Sequence, residues 1–189
     1  MRIIAGNFRG KKILQPKDRS TRPLKDLTKE SIFNIIQHSN KFSLKMENSK
    51  ILDLFSGIGS FGLECLSRGA SFVTFAENYK DTLSILKKNI ISLNYSNKSL
   101  IIEKNIFNQI NFNNFESKFD IIFMDPPYKE KKLSELIEKI IETKILSKDG
   151  IIIIHRHKKD EDKFSKKFNI IENKTYGISK IIFGNLLYE

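Results

Sequence analysis

The chain has little of the residues that mark secreted or membrane proteins. It holds one cysteine, Cys65, in 189 residues, which excludes an internal disulfide and most zinc sites. No apolar run reaches about 18 residues, the length that a membrane-spanning helix needs. The basic start, "MRIIAGNFRGKK", lacks the apolar stretch of a signal peptide. We therefore expect a cytoplasmic protein without membrane association, and we expect Cys65 to lie on the buried side of a helix.

The positive charge is concentrated near the N-terminus. The net charge is +11, and residues 1–50 contain 12 Lys and Arg against 4 Asp and Glu, a net of +8. Such a concentration suits a polyanion, because each basic side chain that neutralises a phosphate releases a counterion. The alternative is a solvated surface with basic loops. The candidate RNA-backbone contacts are Arg2, Arg9, Lys11, Lys12, Arg19 and Arg22.

The length suits one domain with a small appendage. Residues 1–24 alternate loosely around Gly6 and Gly10, which predicts a basic N-terminal β-hairpin followed by a connector. Residues 25–189 form the main domain. Its first predicted helix spans 26–39, with Asp26 as the candidate cap.

The rest of the chain alternates between strands and helices. Seven strands are predicted near residues 50–55, 71–76, 99–103, 119–124, 150–155, 168–175 and 178–187. Helices are predicted near 60–68, 79–93 and 133–141. Continuous apolar strands are typical of a mostly parallel sheet with helices on both faces. The last two strands predict an antiparallel hairpin that turns at Tyr176 and Gly177. The fold class is therefore α/β.

A glycine motif follows the first strand of the main domain. Asp53 ends that strand, and Gly57, Gly59 and Gly62 form G-x-G-x-x-G before a helix. Glu77 ends the second strand, where it can accept hydrogen bonds from ribose hydroxyls. Glycines let the backbone approach a ligand, and a helix N-terminus offers unpaired N–H groups. The motif indicates an adenosine-containing cofactor, and both a nicotinamide dinucleotide and S-adenosylmethionine satisfy it.

The stretch "FDIIFMDPPY" distinguishes between these cofactors. Two adjacent prolines stop a strand that should end beside the glycine loop. The Asp125 carboxylate and the Pro126 carbonyl can then both accept hydrogen bonds from one NH₂ group, with Pro127 fixing the backbone. Tyr128 offers a ring for stacking on a base. These features favour methylation of an exocyclic amine, because holding both N–H bonds turns the nitrogen toward an electrophilic methyl group.

Two histidines alternate on the predicted strand that ends near residue 155. His155 and His157 raise the possibility of a metal site, but no third ligand has suitable spacing, and methyl transfer from a sulfonium needs no metal. We expect both histidines to be solvated or to face phosphates, and we expect no metal.

The motifs "DPPY" and "DLFSGIGSFG" resemble the two signatures of class I amino methyltransferases. The whole chain resembles the RsmD family, bacterial enzymes that methylate N2 of a guanine in 16S ribosomal RNA. The opening "RIIAGNFRGKKI" and the closing "YGISKIIF" separate this family from DNA methyltransferases that share the Asp-Pro-Pro motif. The chain departs from the family at Leu24, Lys29 and Asn78, where threonine, arginine and an acid are common.

The resemblance implies a Rossmann-like class I methyltransferase fold with S-adenosylmethionine as cofactor. It implies that Phe55, Asn78 and Asn105 join the glycine-motif residues in holding that cofactor. The expected partner is the 16S rRNA of the small ribosomal subunit, with no obligate protein partner, and an unpaired loop base fits because it is the least costly to extrude. The alternatives are a DNA adenine-N6 or cytosine-N4 methyltransferase, a nucleic-acid-binding protein without turnover and, more distantly, a dehydrogenase.

Overall fold

A computed structural model describes residues 1–16, 24–127 and 130–187 of the chain. Seven strands form one sheet: β1 (Lys50–Leu54), β2 (Phe72–Ala76), β3 (Ser99–Ile102), β4 (Phe119–Met124), β5 (Leu146–His157), β6 (Phe168–Tyr176) and β7 (Ser179–Leu186). The α-helices are α1 (Asp26–His38), α2 (Ser60–Ser67), α3 (Lys80–Ser92) and α4 (Leu133–Thr143). Every strand and helix predicted for residues 25–189 is present, and this confirms the α/β prediction.

The strand order is β3-β2-β1-β4-β5-β7-β6. The first five strands along that order are mutually parallel, while β7 pairs antiparallel with both β5 and β6. The chain runs from β1 outward to β3 on one side, and from β4 outward on the other. The direction of winding therefore reverses between β1 and β4, where ligands bind in open α/β sheets.

Alternate residues of the central strands serve two separate cores. On one face, Ile51 and Phe123 pack with side chains from α1, α2 and α3. On the other face, Leu52 and Met124 pack with α4. Burial on both faces explains why these strands are continuous apolar runs. Cys65 lies on α2 in the first core with no exposed surface, as the sequence predicted.

A buried acid on α2 holds the N-terminal segment in place. Residues 1–16 fold back on themselves through a single antiparallel bridge between Arg2 and Lys12, so the predicted hairpin is minimal. Glu64 of α2 has no exposed surface, and its carboxylate accepts the main-chain N–H groups of residues 4 and 5 at 2.7 and 2.9 Å. Lys29 Nζ lies 3.5 Å from the same carboxylate and donates to the Arg2 carbonyl. Burial lowers the pKa of Lys29, and Glu64 opposes that shift.

Two local predictions were wrong. Asp26 does not cap α1 from outside; it is the first helical residue, and Lys25 precedes it without a side-chain cap. The fifth strand begins at Leu146 rather than near 150, since Leu146 pairs with Phe119 before a register shift.

In the described ranges, no helix has the length and apolar character to cross a membrane.

Candidate active site

The carboxyl ends of β1, β2 and β4 open into a cavity of about 650 Å³. It lies where the sheet reverses its winding. Predicted site residues that line it are Asp53, Phe55, Gly57, Glu77, Asn78, Asp125, Pro126 and Pro127. Lining residues that sequence reasoning did not assign to the site are Leu24, Ser56, Ile58, Ser60, Phe61, Tyr79, Thr82, Phe123 and His155.

The loop after β1 turns sharply into the cavity. Phe55 has a left-handed backbone with φ of 60°, which is costly for a bulky side chain and is typical of functional loops. Gly57 also has a positive φ, and a Cβ built on it would meet no atom within 4 Å. Gly62 has a different reason to be glycine, because a Cβ there would lie 2.4 Å from the Phe75 ring. Gly57 thus leaves open space at the cavity, while Gly62 lets α2 pack on β2.

Asp53 is the most buried acid of the cavity, with 1% of its surface exposed. Its Oδ2 accepts the Gly62 N–H at 3.0 Å. Its Oδ1 is buried and has no hydrogen-bond partner within the described residues. Burial raises the pKa of Asp53 well above its usual range; the Gly62 hydrogen bond opposes this shift, and the nearby charges of Asp125 and Glu77 add to it. The cavity therefore contains a buried oxygen that can interact with a polar group of a ligand.

Glu77 ties two loops together with its carboxylate. Oε2 accepts the Gly57 N–H, and Oε1 accepts the N–H groups of Asn78 and Tyr79, each at 2.8 Å. Each carboxylate oxygen has two lone pairs, so Oε2 retains capacity for another donor. The loops after β1 and β2 are thereby held at a fixed separation. We call the residues 53–61 and 77–79 the glycine-loop wall of the cavity.

Opposite lies the Asp125 wall, formed by Asp125, Pro126, Pro127 and His155. The Asp125 N–H still donates to the Leu54 carbonyl at 3.3 Å, so the ladder between β1 and β4 continues for one residue beyond the strand. The two prolines that follow have no N–H group, and the pairing stops there. The acid is therefore presented at the mouth of the sheet, with 20% of its side chain exposed.

His155 is buried two residues before the end of β5, contrary to the expectation that it is solvated or phosphate-facing. Its Nδ1 lies 2.8 Å from Asp125 Oδ1, and its Nε2 lies 2.9 Å from Ser179 Oγ. The cause is the sheet register: Met124 pairs with Ile154, so the next residue on each strand meets its neighbour at the same edge. The sequence shows one apolar run that ends in histidine and another that ends in Asp125, but no local pattern indicates that the two strands are neighbours.

Arg156 holds the backbone that follows Asp125. The side chain is 4% exposed and forms two hydrogen bonds to Asp162, at 2.9 Å from Nε and 3.0 Å from Nη2. Nη2 also donates to the Glu130 carbonyl at 3.1 Å, and Nη1 lies 3.5 Å from the Pro127 carbonyl. No local sequence pattern indicates this role, because Arg156 is separated from Pro127 by 29 positions.

Several predicted site residues lie elsewhere. Gly59 and Gly62 are at the start of α2, behind the cavity surface. Asn105 is outside the cavity lining, and its Oδ1 accepts the Phe107 N–H at 2.9 Å. Tyr128, Arg19 and Arg22 fall outside the described residues. Within the described part of the chain, no cluster of His, Cys, Asp and Glu is suited to a metal ion.

The four basic N-terminal candidates that the structure describes are exposed. The turn between them lies at the far end of α2, because the Phe8 N–H donates to Ser67 Oγ. Lys11 Nζ donates to the carbonyl of Ser92, the last residue of α3, at 2.7 Å. Arg9 and Lys11 are thus near the edge of the sheet where the parallel strands begin, whereas the cavity is at the edge where they end.

A seven-stranded sheet with an antiparallel β7, a glycine loop after β1, an acid after β2 and Asp-Pro-Pro after β4 defines a class I methyltransferase. The solved structure of the Escherichia coli protein yhhF has this fold, with a TM-score of 0.82 and 24% identity over 100% of this chain and 99% of that one. A methylase structure from Haemophilus influenzae is 30% identical with a TM-score of 0.75, covering 98% of both chains.

The sequence comparisons identify the family. The model described as "Conserved hypothetical protein 95", which represents the RsmD family, matches residues 1–185, and the chain belongs to that family. The Ribosomal RNA small subunit methyltransferase D of Haemophilus influenzae is 31% identical over 179 residues, which is 94% of this chain and 90% of that protein. The protein of the same name from Buchnera aphidicola subsp. Acyrthosiphon pisum is 33% identical over 172 residues, 91% of this chain and 86% of that one. The chain is therefore a methyltransferase that uses a methyl donor.

Proposed function

We propose that this protein transfers a methyl group from S-adenosylmethionine to the N2 amine of a guanine in 16S ribosomal RNA. The observation that carries the proposal is the meeting of two walls in one cavity, with Asp125 facing the loop of Gly57. A cofactor on the glycine-loop wall and an amine on the Asp125 wall would be neighbours. Proximity of this kind is a large part of catalysis in group transfer.

The glycine-loop wall fits an adenosine-containing cofactor. Glu77 retains lone pairs for ribose hydroxyls, and Gly57 leaves room for a ligand to approach the backbone. The unpaired, buried Oδ1 of Asp53 suits a polar donor such as an amino group. When bound, S-adenosylmethionine supplies a methyl group carried on positively charged sulfur. Phe55 and Asn78 line the same wall and complete the proposed cofactor contacts, while Asn105 would need a second arrangement of its loop to reach it.

The Asp125 wall fits an exocyclic amine. Among the described residues, the side chain of Asp125 has one hydrogen-bond partner, His155, which contacts Oδ1. Oδ2 is therefore available to an N–H group of the substrate. The Pro126 carbonyl would accept the second N–H of the same amine. Holding both N–H bonds draws the nitrogen lone pair out of conjugation with the base, and the carboxylate stabilises the positive charge that develops on nitrogen. Tyr128 is proposed to stack on the base.

The substrate assignment draws on the family. The relatives from Haemophilus influenzae and Buchnera aphidicola carry the name Ribosomal RNA small subunit methyltransferase D. Applied to this chain, that name gives 16S rRNA in the bacterial cytoplasm as the proposed substrate. The RsmD resemblance implies the N2 amine of a guanine as the methylated group. An unpaired guanine would cost the least to extrude into the cavity.

Two basic regions are proposed to contact the RNA backbone. The first comprises Arg2, Arg9, Lys11 and Lys12, together with Arg19 and Arg22 of the connector. The second, which we call the catalytic-edge lysines, comprises the exposed Lys131, Lys132, Lys158 and Lys159 near the carboxyl ends of β4 and β5. The first region lies near the edge of the sheet where the parallel strands begin, and the second lies near the edge where they end. An RNA helix and its loop are large enough to touch both.

Labelled methyl transfer tests the proposal. The purified protein and labelled S-adenosylmethionine are incubated with unmethylated small subunits, naked 16S RNA or duplex DNA, and the product nucleoside is identified. We expect N2-methylguanosine from one or both of the rRNA substrates. Incorporation only into DNA, as N6-methyladenine or N4-methylcytosine, would contradict the rRNA assignment. Binding of nucleic acid and cofactor without incorporation into any of the three would favour a protein without turnover.

A further inference from the structure

His155 bridges two parts of the sheet at the edge of the cavity. Its side chain is 8% exposed and contacts a different partner through each ring nitrogen, Asp125 at 2.8 Å and Ser179 at 2.9 Å. Asp125 follows β4, His155 lies in β5 and Ser179 begins β7. The three polar side chains therefore form a line from the antiparallel part of the sheet to the Asp125 wall.

The chemistry of the partners assigns the protons. An ionised carboxylate only accepts hydrogen bonds, so the nitrogen that faces Asp125 must carry hydrogen, whether the imidazole is neutral or charged. In the neutral ring Nε2 then accepts from the Ser179 hydroxyl, which can rotate to donate. Ser179 is itself buried and aligned with His157 in the β5–β7 ladder, which fixes the far end of the line.

We infer that His155 is a positioning residue for Asp125, a role that rests on the proposed methylation of an amine. The Nδ1–H group engages Oδ1 and fixes the plane of the carboxylate, which directs Oδ2 toward the amine. Asp125 is one-fifth exposed and lies just beyond the last strand residue, so packing alone restrains its side chain weakly. Ser179 and His155 thus hold the Asp125 carboxylate in one orientation, as main-chain N–H groups hold the carboxylate of Glu77.

Three substitutions separate positioning from mere packing. In His155→Asn the side-chain amide can donate from near the position of Nδ1, while His155→Leu keeps a similar volume and removes both contacts. Ser179→Ala removes only the far partner. His157→Asn is the matched control, because His157 is on the same strand, is half-buried and is outside the cavity lining.

We expect His155→Leu to lower the single-turnover methylation rate about 100-fold, the cost of a misplaced reacting group. His155→Asn should recover most of that loss, and Ser179→Ala should fall between the two. Cofactor affinity, measured by isothermal titration, should stay within about twofold of the wild-type value in all four variants. A loss of about 1 kcal/mol of binding free energy would already weaken the affinity about fivefold. A wild-type rate for His155→Leu, or equal losses for Asn and Leu, would overturn the inference.

A second readout is independent of turnover. The chain has three histidines, so ¹⁵N-labelled imidazoles can be assigned with two substitutions, His38→Gln and His157→Gln. We expect the His155 ring to carry its proton on Nδ1 and to lose that preference in Asp125→Ala. A ring that exchanges freely between tautomers in the wild-type protein would overturn the inference. Failure of the wild-type protein to methylate any substrate would overturn the proposed function instead, even if the tautomer were as expected.

Discussion

The two walls of the cavity are held in place by different means. On the glycine-loop wall, Asp53 and Glu77 accept hydrogen bonds from main-chain N–H groups of residues 57, 62, 78 and 79. On the Asp125 wall, His155 contacts the carboxylate, and Arg156 holds the following backbone through the Glu130 carbonyl. Main-chain donors fix the first wall, and side chains from β5 fix the second.

This difference separates contacts made by the backbone from contacts that depend on particular side chains. Main-chain N–H groups are present whatever the side chains are, so a wall built on them needs only glycines and well-placed acids. A wall built on side chains depends on the identity of each partner, such as His155 or Arg156. We therefore expect the glycine-loop wall to govern cofactor affinity and the Asp125 wall to govern turnover, and the following predictions test that division.

The largest effect is expected from the two carboxylates. Asp125→Ala should lower the methylation rate about 100- to 1,000-fold, as loss of a group that stabilises developing charge does, while cofactor affinity changes little. Glu77→Ala should do the reverse and weaken cofactor binding, because it removes the acceptor that joins the loops of Gly57 and Tyr79. Isothermal titration gives the affinity, and single-turnover transfer at saturating cofactor gives the rate.

The two substitutions serve as controls for each other. Both remove one carboxylate from the same cavity, so a general loss of negative charge would affect them alike. If Asp125→Ala lost the cofactor and Glu77→Ala kept it, the division between the walls would be wrong. Thermal unfolding of each variant would show whether a loss of rate reflects a loss of folded protein.

Tyr128 should contribute the next largest effect. Its ring is predicted to stack on the target base, so Tyr128→Phe should retain most activity. Tyr128→Ala should lose about 1–3 kcal/mol of base positioning, which appears as weaker binding of RNA and slower transfer. Equal activity of the Phe and Ala variants would contradict the proposed stacking of Tyr128 on the base.

The glycine-loop wall was largely predictable from local sequence. Asp53, the glycines and Glu77 occur within 25 positions, and their strand–turn–helix context is visible in the apolar pattern. The same pattern gave the strands, because Ile51 to Leu54 and Ile151 to Ile154 are buried on both faces. The start of α1 was not predictable. Lys25 occupies the N-cap position without a capping side-chain hydrogen bond, and Asp26 lies one residue inside the helix.

The partners on the Asp125 wall were not predictable, because they meet through the sheet. His155 lies 30 positions from Asp125 and 24 from Ser179, and no local pattern joins them. Lys29 is a similar case: it belongs to a basic stretch of sequence, yet it is buried against Glu64, 35 positions away. Strand order and register decide the contacts of His155, and the packing of α1 on α2 decides that of Lys29. A single sequence shows strand register only weakly.

Arg156 should have a moderate effect on the Asp125 wall. Arg156→Lys keeps the positive charge beside Asp162 but loses the planar fork that contacts Asp162 and the Glu130 carbonyl together. We expect the methylation rate to fall about tenfold, as expected for a small displacement of reacting groups, with cofactor affinity unchanged. Lys163→Ala, an exposed basic residue next to Asp162, is the matched control. Loss of cofactor binding in Arg156→Lys would show that the two walls are not independent.

The smallest effect on chemistry is expected from the basic surfaces, which should alter neither wall. Replacing Arg9, Lys11 and Lys12 together by alanine should weaken RNA binding and flatten the plot of log affinity against log salt by about 0.7 to 0.9 per lost phosphate contact. Alanine at Lys131, Lys158 and Lys159 removes the same charge from the catalytic edge and is the matched comparison. Merely solvated residues would act only through long-range attraction, which is largely screened beyond about 8 Å at physiological salt. A slope that changes only in the second variant would place the RNA at the catalytic edge alone, and a change in cofactor affinity in either variant would contradict the independence of the walls.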